Sequence, residues 1–135
     1  MISRTDGDYE VYGAPECARE RQLVILFKSA AWFSIMLIAI LSLLPGDEMV
    51  RTGLPTKLEH VAAYAGSAAV ATVAYGHRHG SMRIIGFFWA YAGILEYLQR
   101  FSPGRHPSIW DFAASGFGAL CGGAALSWGP RLLGF

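Results

Sequence analysis

Residues 23–44 read LVILFKSAAWFSIMLIAILSLL, and this stretch decides the fold. Its only charged residue is Lys28. As an α-helix rising about 1.5 Å per residue, it reaches across a hydrocarbon core roughly 30 Å thick. The run starts too late and is too long for the core of a signal peptide, and no small-residue cleavage pattern accompanies LSLLPGDE. It therefore reads as a transmembrane helix that the mature protein keeps. Residues 1–22 ahead of it carry Asp6, Asp8, Glu10, Glu16 and Glu20 against Arg4, Arg19 and Arg21, and read as a polar tail with too little apolar surface to fold alone.

Three weaker apolar runs follow, at about 58–76, 84–99 and 109–128, each bounded by proline, glycine or charge clusters that end helices. The last, IWDFAASGFGALCGGAALSW, has Asp111 as its only charge. The middle two carry more polar residues and alone would pass for buried helices of a soluble bundle. Beside two apolar spans they read as membrane helices. The expected fold is all-α, a polytopic bundle of four transmembrane helices within residues 23–130. A chain of 135 residues with 53% hydrophobic and 16% charged residues is too apolar for an ordinary soluble domain, and a net charge of +1 leaves no nucleic-acid footprint. Cys17 in the tail and Cys121 in the last apolar run indicate no disulfide framework.

Basic residues orient the bundle. Arg19, Arg21 and Lys28 precede or open helix 1, HRHGSMR (77–83) joins helices 2 and 3, and Arg131 follows helix 4, so both termini are expected in the cytoplasm. Arg51, Lys57, Arg100 and Arg105 oppose this bias from the other side. With an even number of spans, the end of helix 1, the start of helix 2, the end of helix 3 and the start of helix 4 share the outer face.

Most of the unusual polar residues fall at those four ends. Thr56 and Glu59 have capping-box spacing behind Pro55. Lys57, His60 and Tyr64 recur at i, i+3 and i+7 on one helix face, which can bind an anion or move a proton, or can place an interfacial Lys and Tyr beside a hydrogen-bonded His. Glu96 and Gln99 again share a face; Glu96 lies roughly 18 Å along helix 3, where a carboxylate needs a partner, a wet cavity or a proton. Arg105 or Lys57 could pair with it. In FSPGRHPSIWDF, Pro103 and Gly104 make a turn, Ser108 and Asp111 have cap spacing, and Arg105 offers a planar fork to a carboxylate or phosphate or rests at the head-group level. Asp111, Ser115, Gly118 and Gly122 form a stripe that permits close helix packing. His77 and His79 read as solvated loop residues. A metal set drawn from His60, His106, Glu96 and Asp111 has no ligand spacing, so no metal or cofactor is expected.

In order and spacing, Lys57-x-x-His60-x-x-x-Tyr64, Glu96-x-x-Gln99, Pro103-Gly104-Arg105, Ser108, Asp111, Gly118 and Gly122 resemble the VanZ-like family of small membrane proteins, associated with teicoplanin resistance. Two positions differ: Thr56 stands where the family often has Asp, and Ser115 where it commonly has Asn. The resemblance implies a multi-pass protein of the bacterial cytoplasmic membrane, linked in some members to glycopeptide resistance and the cell envelope, with no established reaction.

Two readings of function follow. In the first, the protein binds an envelope lipid, a glycopeptide or a membrane partner, itself as a homo-oligomer included, through Lys57, His60, Tyr64, Glu96, Gln99, Arg105 and Asp111. In the second, it is a membrane enzyme acting on a lipid-linked phosphate or carboxyl substrate, with Glu96 or His60 as acid or base and Lys57 and Arg105 as the anion clamp. No nucleophile stands out, because Ser108 and Ser115 have no motif around them.

Overall fold

The computed structural model describes residues 14–47 and 53–132, with side chains from 18 to 47 and from 53 to 127. Most of the polar tail, Glu48, Arg51 and the side chains of Cys17 and Arg131 lie outside the described residues. The chain forms α1 (Ala14–Leu43), α2 (Thr56–His79), α3 (Ser81–Leu98), a 3-10 turn (Gln99–Phe101) and α4 (Ile109–Leu132). The all-α, four-helix expectation holds.

Several boundaries move from their expected positions. Helix α1 begins at Ala14, so residues 14–22 are helical; Arg19, Glu20, Arg21 and Gln22 are good helix formers and extend the helix while staying exposed. Helix α2 runs on to His79, which puts His77 and His79 on a helix and leaves Gly80 as the only residue between α2 and α3. Gly80 makes this possible at φ 78°, a conformation that L side chains rarely adopt, while its N–H still donates to Gly76 O at 2.9 Å. At the far end of α3, Gln99 belongs to the 3-10 turn.

Helices α2 and α4 make the most extensive contact, and α1 and α3 barely touch. Small residues explain the first. A Cβ on Gly118 or Gly122 would overlap the backbone carbonyls of Val61 and Ala65, so the two helices meet backbone to backbone. Ala68, Ala71, Ala92 and Ala119 continue this close packing in the core, where Phe88 is the one large side chain that is fully buried among the described residues. Gly116 accommodates the indole of Trp89, whose Nε1–H donates to Gly116 O at 3.0 Å.

Among the described residues two helices, over Ala18–Leu43 and Ile109–Ser127, are long and apolar enough to cross a membrane. Helix α2 is interrupted by charge at both ends and α3 is 18 residues long. Only 11% of the apolar window in α1 is buried inside the bundle, with Leu26, Phe33 and Met36 each more than half exposed.

Candidate functional site

The four helix ends expected to share a face converge. Gly46 N–H donates to Pro103 O at 3.1 Å, tying the α1–α2 connection to the α3–α4 turn. In that turn Ser102 O accepts from Arg105 N–H at 3.3 Å, and Gly104 has φ 72°. Proline followed by a left-handed glycine is what a type II turn requires. The turn aims Arg105 back at α1. Its Nε donates to Leu44 O at 3.1 Å and one terminal nitrogen to Leu41 O at 2.7 Å, while Ser102 Oγ donates to Leu43 O at 3.0 Å. These carbonyls at the end of α1 have no partner further along the helix, and a cation there also complements the helix dipole.

Arg105 is only partly committed by this role. A guanidinium carries five N–H donors, and among the described residues two bonds to α1 use only part of them. Burial lowers its pKa from the usual arginine value, while the carboxylates of Glu96 and Asp111 act in the opposite direction through space.

Glu96 serves a local purpose, with its Oε1 accepting the backbone N–H of Ser108 just ahead of α4. A carboxylate at that position satisfies an orphan donor and lies at the favourable end of the α4 dipole. At the start of α2 the cap expected from Thr56 does not form. The helix begins one residue earlier in register, with Pro55 as N-cap, no side-chain cap, and Pro55 O accepting from the N–H groups of Leu58 and Glu59. Thr56 is already inside the helix.

Across the α2–α4 contact lies a polar cluster centred on Ser115. Its hydroxyl donates to Asp111 O at 2.9 Å and lies 3.2 Å from His60 Nδ1. A serine hydroxyl has one proton and two acceptor positions. With the proton on Asp111 O, the Ser115 oxygen keeps acceptor capacity toward His60. Tyr64 and Ser115 are buried, at 2% and 3% exposure, whereas His60 is partly exposed.

His60, Tyr64 and Arg105 line a cleft of about 180 Å³ between the end of α1 and the start of α2, together with Ser42, Thr56 and Glu59. Glu96 lines a different groove, with Tyr97, Arg100 and Ser108. Lys57 turns away from the cleft, its ammonium 5.8 Å from the centre of the exposed Trp110 ring. Gln99 is buried in the turn at 4% exposure, and Asp111 sits partly buried in the first turn of α4. The structure thus brings together His60, Tyr64 and Arg105 from the expected set, turns Lys57 away, and leaves Glu96 in a neighbouring groove from which it still acts on Arg105 through space.

Sequence reasoning missed Glu59 and Ser42 as cleft residues and Ser115 as the centre of the polar cluster. The i+4 spacing of Ser115 from Asp111 was visible, but its meeting with His60 depends on how α2 packs on α4. Among the described residues no group of three or more His, Cys, Asp or Glu side chains could hold a metal ion. Compared with protein-family models, curated proteins and solved structures, the chain matches none significantly.

Proposed function

We propose that this chain is a VanZ-like, multi-pass protein of the bacterial cytoplasmic membrane that binds the anionic head group of an envelope amphiphile in the cleft between α1 and α2. The observation that carries this reading is Arg105: the end of α1 holds its guanidinium in place, and donors remain for a ligand in the cleft it lines. A preorganised fork loses little conformational freedom on meeting a phosphate or carboxylate. His60 and Thr56 line the same cleft, so a head group carrying hydroxyl or amide groups next to its charge fits best. The membrane setting is supported by the apolar surface of α1, too large and continuous for a water-facing helix. The family reading is supported by the order of Lys57, His60, Tyr64, Glu96, Arg105 and Asp111 and their position at converging helix ends.

The enzyme reading has less support. The best candidate nucleophile, Ser115, is buried and spends its proton on a backbone carbonyl, and His60 and Glu96 line separate grooves. The test is mass spectrometry of lipids that co-purify with the wild-type chain and with Arg105→Lys. Lysine keeps the charge but cannot hold α1 and present a fork at once. An anionic amphiphile enriched on the wild type and depleted about tenfold on Arg105→Lys supports the proposal. Bound lipid in bulk membrane proportions refutes it.

A further inference from the structure

At the opposite end of the bundle, α1 and α3 stand apart and leave an apolar groove of about 300 Å³. Ala31 and Ala71 keep its floor low, Phe88 closes its base, and Trp32 and Phe87 form its walls. The mouth is basic. His79 and Arg83 line it, and Lys28 lies 5.7 Å from the ring centre of Tyr75, another lining residue. Among the described residues no carboxylate lines the groove. Trp32 Nε1–H donates to Tyr75 OH at 3.0 Å, so the aromatic rim is fixed.

We infer that this groove holds one acyl chain of an anionic glycerophospholipid, with the lipid phosphate at Arg83 and His79. The inference rests on the membrane reading of the chain and is independent of the cleft at Arg105. Size selects the occupant. A space of this volume takes about ten groups the size of a water molecule, which suits a single hydrocarbon chain. A protein helix, roughly 10 Å across, does not fit. Charge selects the head group: basic side chains at Lys28, His79 and Arg83 with no acid lining the groove favour a net negative lipid over a zwitterionic one. The groove also accounts for Lys28, the one charge in the apolar run of α1, and gives His79 a role beyond that of a solvated residue.

The test uses Trp32 as its reporter. The full chain with Trp89, Trp110 and Trp128 replaced by Phe is reconstituted in phosphatidylcholine vesicles containing equal mole fractions of brominated phosphatidylglycerol or brominated phosphatidylcholine. Trp32 fluorescence should be quenched several-fold more by the anionic lipid, and Arg83→Gln should bring the two toward equality. Ala71→Leu, which fills the floor of the groove, should abolish the preference. Equal quenching in the parent overturns the inference, as does a preference that survives Ala71→Leu, because that preference belongs to lipid around the protein and not to the groove. Absence of quenching by either lipid removes the membrane reading and this inference with it. Native mass spectrometry of the otherwise unmodified chain, with and without Ala71→Leu, gives the same comparison if the triple Phe variant does not fold: phosphatidylglycerol adducts should persist only on the chain that keeps Ala71.

Discussion

Ser115 carries a proton that goes to Asp111 O and an oxygen 3.2 Å from His60 Nδ1, so a single buried hydroxyl serves two polar groups at the α2–α4 contact. Ser115→Ala should leave His60 Nδ1 without this partner and lower stability by about 1 kcal/mol, read as a shift of the denaturation midpoint in detergent. Arg105 makes a different kind of contribution, ending α1 from a position far along the chain. Arg105→Ala should cost about 2–3 kcal/mol through the exposed carbonyls of Leu41 and Leu44, and Arg105→Lys about 1 kcal/mol, measured in the same unfolding experiment. Asp111 acts on Arg105 through space, so their coupling is long-range and should weaken as salt is raised.

Among the elements, the α2–α4 pair sets the geometry of everything polar above it. Its closeness depends on Gly118 and Gly122 meeting the backbone of Val61 and Ala65. Gly122→Val should force the helices apart at a cost of about 1–3 kcal/mol and, because His60 and Ser115 are carried by these helices, should also break their contact. Gly66 is the matched control: a Cβ there meets nothing within 4 Å, so Gly66→Ala should be neutral or stabilise by up to about 1 kcal/mol through helix propensity. Thermal midpoints of the two variants, measured side by side, decide whether the stripe acts by packing or by backbone flexibility. At the start of α4, Glu96→Gln replaces a charged acceptor for Ser108 N–H with a neutral one and should cost about 1 kcal/mol.

For the whole molecule, the membrane reading makes a topological prediction. A reporter fused after Gly80 should be active in the cytoplasm and silent outside it, since the His77–Arg83 junction carries the basic residues that orient the chain. Activity outside would invert the bundle and put the cleft at Arg105 on the inner face. The same reading expects the chain to remain in the membrane fraction after alkaline extraction.

The sequence by itself determined the four helices and the Pro103–Gly104 turn, because apolar runs, prolines and glycines act on backbone within a few residues of themselves; it read 77–83 as a loop where the chain turns on Gly80 alone. It also placed Lys57, His60, Tyr64, Glu96, Arg105 and Asp111 at or near helix ends, since position along a helix follows from counting. Tertiary structure alone decided which of these met. His60 reaches Ser115 across 55 residues of chain and Arg105 reaches Leu41 across 64, while Lys57 turns to Trp110 and Glu96 to Ser108. A hydrogen bond needs its atoms within about 3 Å. Spacing within one helix specifies such distances, but between helices they depend on how closely the backbones approach, and that was settled by Gly118 and Gly122.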